Sequence, residues 1–100
     1  MTNHKLAALD NEELINRFAI AAKQMGAAVL DSEVHKANRI FQVMGDIDLV
    51  LRSRGTEARL MLVPLLDDKD RFVRYYTARK LLALVPDRAR DSRMELQIRV

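Results

Sequence analysis

The side chains able to do acid–base, nucleophilic or metal chemistry are few and scattered. Cysteine is absent, and His4 and His35 are the two histidines. Disulfides, thiolate metal sites and cysteine nucleophiles are therefore excluded. A metal pair on a helix needs ligands three or four residues apart, whereas Glu33 and His35 are two apart and face different sides. His35 reads as a solvated surface histidine. Ser53 cannot pair with it, because a continuous helix would separate the two by roughly 27 Å. Gly26, Gly45 and Gly55 are isolated, so there is no glycine-rich phosphate loop. The adjacent carboxylates Glu12-Glu13 and Asp67-Asp68 are explained by helix capping or by pairing with an arginine. No group meets the geometric requirements of a catalytic centre. The sequence therefore reads as a non-enzyme, with no catalytic, cofactor-binding or metal-ligating residues.

Binding chemistry is better represented. Phe72, Tyr76, Arg79 and Lys80 fall on one face of a helix, and aromatic rings beside cations suit an acidic or phosphate-bearing partner. The alternative is that this face packs beneath a last helix or at a dimer interface, since stacked repeats bury both sides of an inner helix. Charge is uneven. The net charge is +3, but residues 1–68 carry 8 Lys/Arg against 10 Asp/Glu, and residues 69–100 carry 9 against 4. Such a basic end can attract nucleic acid through phosphate contacts, or can be a solvated face.

The elements that must position these residues are helical. Asp70 can cap a helix running to about Val85, where Pro86 stops it. At about 100° per residue, Val73, Thr77, Ala78, Leu81, Leu82, Leu84 and Val85 share an arc. Arg74 falls near the middle of that arc, and an unpaired buried charge costs several kcal/mol. Asp67 and Asp68 sit just upstream of it, and Asp48 lies on the apolar arc of another helix. The expected ion pair is therefore Arg74 with Asp68 or with Asp48.

Earlier in the chain, Met1 to Leu9 reads as a loose tail, with Leu6 and Leu9 tucking in. Asp10 or Asn11 caps a first amphipathic helix whose arc holds Leu14, Ile15, Phe18, Ala21, Ala22, Met25, Ala28 and Val29. Gly26 in this helix permits close approach of a neighbour. A second helix spans Glu33 to Arg54 with Val34, Ala37, Ile40, Phe41, Met44, Ile47 and Leu51 inward. Gly45 is a candidate bend, and Gly55 ends the helix. Thr56 starts a third helix, kinked near Pro64. Asp87 caps a last one holding Ala89 and Leu96.

Two resemblances follow from these residues. Asp67-Asp68-Lys69-Asp70-Arg71-Phe72-Val73-Arg74, then Thr77-Ala78 and Leu81, resembles the second helix of a HEAT repeat. Leu62, Pro64, Leu65 and Leu66 resemble the end of the repeat's first helix. The chain as a whole resembles a small bacterial HEAT/armadillo-like family of unknown function, on Phe18, Ala21, Ala22 and Lys36-Ala37-Asn38-Arg39. The resemblance implies an all-α fold of about five helices, a short right-handed stack of antiparallel pairs. It implies no activity, because a fold hosts many functions.

With 100 residues, the chain is expected to form a single HEAT-like domain (1–100), with 1–9 as the tail. No apolar run approaches the ~20 residues that span a bilayer, so no membrane partner is expected. The opening lacks an apolar core of signal-peptide length, and the cytoplasm is the expected location. The leading expectation is a non-enzymatic protein-binding module. The alternatives are a nucleic-acid-binding protein using the basic C-terminal third, or a self-associating protein forming a homodimer.

Overall fold

The computed structural model describes residues 2–82, with side chains from Lys5 onward. Every regular element among them is helical. Helix α1 spans Thr2–Ala7, α2 Asn11–Leu30, α3 Val34–Ser53, α4 Thr56–Leu60 and α5 Arg71–Leu81, with a 3-10 turn over Val63–Asp67 between the last two. The all-α expectation holds. The expected loose tail is corrected, since Thr2–Ala7 is helical, while Leu6 is buried and Leu9 packs on the core as expected. The expected helix after Asp87, and the part of the fourth expected helix beyond Leu82, lie outside the described residues.

The body is the pair α2 and α3, two helices of 20 residues each. Asp10 caps α2 by accepting from the Glu13 backbone N–H at 2.8 Å. Leu14, Phe18, Ala21, Ala22, Met25 and Ala28 are buried from α2, and Met44, Ile47, Val50 and Leu51 from α3. The alanines let the two axes approach closely, while Phe18 and Leu14 fill the space between them.

The turn joining the pair closes as a Schellman motif. The Glu33 N–H donates to the Ala28 carbonyl at 2.9 Å and the Ser32 N–H to that of Val29 at 3.1 Å. Ser32 sits in the left-handed region at φ 59°, where glycine is the usual occupant. At the far end of α3, Gly55 takes φ 106°. The guanidinium of Arg54 there donates to Asn11 Oδ1 (2.8 Å) and to the carbonyls of Ala7 (3.0 Å) and Leu9 (2.6 Å). One side chain thus ties the α1–α2 corner to the end of α3.

The expected kinked helix is two elements. Pro64 has no N–H to donate to Leu60, so α4 ends at Leu60 and the chain tightens into the 3-10 turn. Leu62 and Leu66 from this region are buried.

Helix α5 opens on the expected cap, with Asp70 accepting from Phe72 N–H (2.8 Å) and Val73 N–H (3.1 Å). It packs on the 3-10 turn and also on α2. The second contact is made by Phe72 against Gly26. A methyl group built on Gly26 would overlap the Phe72 ring, including the atom that joins the ring to its stem. The close approach expected at Gly26 is real, and Phe72 is the group that makes it.

Candidate functional site

The four residues expected to form a partner face are divided by the structure. Tyr76 is buried, which corrects its placement opposite the core, and Phe72 is half-buried over Gly26. The cause is that α5 packs on two neighbours, so two of its sides face inward. Burial raises the Tyr76 pKa from 10.0; the Tyr75 hydroxyl adds to the rise and Arg79 opposes it. The ring of Tyr75 meets that of Tyr76 edge-on at 5.0 Å. Arg79 is exposed and stands 5.9 Å over the Tyr75 ring. Lys80 reaches away from α5, with Nζ 5.8 Å from the centre of the Phe41 ring on α3.

The expected ion pair resolves into two separate arrangements. Arg74 Nη1 donates to the backbone carbonyls of Asp68 (2.8 Å) and Lys69 (3.1 Å), clamping the turn before α5. Asp48 is buried, and its carboxylate is taken up by two other arginines, Arg52 and Arg59, each at 3.8 Å. Arg59 also donates to the Lys80 carbonyl at 2.7 Å. It therefore joins α3, α4 and the C-terminal end of α5, where free carbonyls attract a cation.

A candidate surface that the periodicity did not reveal lies on α3. Phe41 was expected inward, and Val34 with it. Phe41 is 45% exposed and Val34 64%. Leu49, two turns beyond Phe41, is 54% exposed, with Gly45 midway between them. These residues floor an open groove of about 510 Å³. It is also lined by Asn38, Gln42, Asp46, Asp48 and Arg52 from α3 and by Lys80 from α5. A methyl group on Gly45 would meet nothing within 4 Å. The glycine is therefore not required by the packing of the described residues, and the expected bend does not occur, since α3 is continuous through it. The available signal was the spacing of Phe41, Gly45 and Leu49 at four-residue intervals. The apolar arc used to place the core overlaps that stripe.

No group of three or more His, Cys, Asp or Glu among the described residues is arranged to hold a metal. No helix among them is long and apolar enough to cross a membrane.

Residues 12–98 match the model of a family described as a domain of unknown function, DUF2019. The chain belongs to that family. The family match runs past the last described residue and takes in most of the basic C-terminal end. A solved neighbour is the crystal structure of the protein RPA1889 from Rhodopseudomonas palustris. It is similar over 87% of this chain and 72% of its own, with 29% identity and a TM-score of 0.81. No curated protein matches the chain.

Proposed function

We propose that this DUF2019 chain is a non-enzymatic protein-interaction module with a HEAT-like arrangement, in which the α2–α3 pair stacks on the pair made by α4, the 3-10 turn and α5. The observation that carries this reading is the exposed stripe Phe41–Gly45–Leu49 on α3, roofed at one end by Lys80. A large ring and a leucine held in water on a rigid helix cost free energy, roughly 25 cal/mol per Å² of apolar surface. A glycine between them adds about 1 kcal/mol of lost helix propensity. Both costs are offset when a partner helix lies in the groove with its backbone close to Gly45. Apolar floors with polar rims are the ordinary anatomy of helix-in-groove recognition.

The test is a photo-crosslinking amino acid at Gln42, beside the groove, against the same probe at the exposed Lys23 of α2. The reading expects one discrete protein adduct from position 42, lost when Leu49→Arg is added, and none from position 23. Equal adducts from both positions, or none from either, overturn it.

A second reading has its own observation. Arg71 lies 5.2 Å over the Phe72 ring and Arg79 over Tyr75, so the outer side of α5 presents cations backed by rings. This supports nucleic-acid binding. Duplex and single-stranded nucleic acid at low salt should then shift the protein, with affinity falling steeply as salt rises. No binding at low salt ends this reading.

A further inference from the structure

We infer that the outer line of α5, Arg71–Tyr75–Arg79, is a contact site for single-stranded nucleic acid, with the two guanidiniums holding phosphates and the Tyr75 ring carrying a base between them. The inference rests on the nucleic-acid reading above and names the form of nucleic acid that the site takes.

Charge is the first observation. Helix α5 carries Arg71, Arg74, Arg79 and Lys80 and no carboxylate. Two of the four cations are used inside the molecule, Arg74 on the carbonyls of Asp68 and Lys69, and Lys80 over the Phe41 ring. Among the described residues, no carboxylate lies within ion-pair distance of Arg71 or Arg79. The acidic residues before the helix do not reach them. Asp70 accepts from the backbone N–H groups of Phe72 and Val73, Asp68 accepts from that of Asp70, and Asp67 is likewise engaged. The Asp70 carboxylate is held at the positive end of the helix dipole, and the outer line of α5 is left cationic.

Spacing is the second. The three residues recur every four positions, so each stands about 6 Å farther along the axis and about 40° round from the last. This line is the side of α5 that its neighbours leave least covered. Arg79 is exposed and Arg71 and Tyr75 are half-buried, while Val73, Tyr76, Thr77 and Leu81 are buried. A strand lying along it meets cation, ring and cation in turn, the combination of phosphate and base-stacking contacts by which single strands are held. A duplex keeps its bases stacked on one another and offers the ring no free base face.

The third is that rings and cations are already assembled. Arg79 stands 5.9 Å over the Tyr75 ring, and the buried Tyr76 meets that ring edge-on at 5.0 Å. Arg71 is braced in the same way, 5.2 Å over the ring of Phe72, which is itself packed against Gly26. Side chains held in place before binding lose less freedom on binding, which favours affinity.

The test uses the full chain with a labelled oligothymidine, a duplex of the same length and poly-glutamate. At low salt the single strand should bind at least tenfold more tightly than the duplex. Tyr75→Leu should weaken single-strand binding at least fivefold and leave duplex binding unchanged, because only unstacked bases can stack on the ring. Tyr75→Phe keeps the ring and should retain the binding. Arg79→Ala should flatten the slope of log affinity against log salt by about 0.7, the contribution of one phosphate on a single strand. Arg79 is exposed, so this variant should leave the circular dichroism unchanged. Stacking can also be measured with Arg71, Tyr75 and Arg79 intact. Tryptophan is absent and Tyr75 and Tyr76 are the two tyrosines, so in Tyr76→Phe the oligothymidine should quench the tyrosine emission that remains. Equal affinity for single strand and duplex overturns the inference, as does poly-glutamate bound as tightly as the oligothymidine, or emission unquenched at saturation. If nucleic acid binds without these signatures, the single-strand site is refuted and the nucleic-acid reading stands. If no nucleic acid binds at low salt, both are refuted.

Discussion

Replacing Gly26 with alanine should destabilise the protein even though alanine is the better helix former. Propensity alone favours the substitution by about 1 kcal/mol. Against it stands the Phe72 ring, which already occupies the volume of the new methyl. The overlap involves the base of the ring, so a rotation of the distal edge does not relieve it, and α5 must move away from α2. Overpacking of this kind costs typically 1–3 kcal/mol. The same movement loosens Val73 and Tyr76, which are buried one and four positions along the helix. The net expectation is a loss of about 1–2 kcal/mol, or a fall in Tm of roughly 4–8 °C per kcal/mol for a domain of this size. Thermal and urea melts at dilute protein measure it. Gly45→Ala is the matched control, because its methyl meets nothing and should stabilise the monomer by about 1 kcal/mol. Adding Phe72→Leu to Gly26→Ala should recover part of the loss, with a coupling of at least ~0.5 kcal/mol in the double-mutant cycle. A Gly26→Ala variant as stable as the unmodified chain, or more so, refutes the packing argument.

Three further outcomes are expected. Asp48→Ala leaves the largely buried Arg59 without its carboxylate and should cost about 3 kcal/mol in urea unfolding, far more than removal of the exposed pair Arg17–Glu13. Ser32→Gly should stabilise the α2–α3 turn by about 0.5–1 kcal/mol in thermal melts, because a serine there occupies a left-handed backbone at φ 59°. Stability should also fall at alkaline pH in a way that depends on Tyr76. Its folded pKa lies above the unfolded value of 10.0, so the folded state holds the proton more tightly. Stability is then full below about pH 10 and is lost as pH rises through the folded pKa. Urea melts compared with Tyr76→Phe should show a gap that changes only above that pH, and a gap independent of pH would contradict the burial.

Much of the architecture was legible because it is local. Asp10 with Glu12 and Glu13, and Asp70 ahead of Val73, are start signals carried within one turn, and both caps form as expected. The alternation of apolar residues placed Phe18, Ala22, Met44, Ile47 and Leu51 in the core. The apolar Leu6 could be expected to tuck in, but the helical state of Thr2–Ala7 was not legible, because its anchors are remote. Leu6 is covered by distant parts of the chain, and Arg54 reaches the Ala7 carbonyl across 47 positions. The exposed face of α3 was misread for a related reason. Periodicity shows which side of α3 is apolar but not how far its neighbours extend, so Val34 and Phe41 were assigned to a core that does not reach them. The same limit hid the partners of Asp48. Its arginines are one turn later on its own helix and on α4, while the sequence pointed to Arg74.

The claim that α3 presents a contact surface is tested most directly by hydroxyl-radical footprinting, applied to the dilute purified chain and to the chain inside the cells that make it. Phe41 and Leu49 should be labelled readily in the dilute protein, as their exposure requires, and protected in the cell, while exposed Leu30 at the end of α2 is labelled equally in both. Phe41 and Leu49 labelled to the same extent in the two settings would contradict the account.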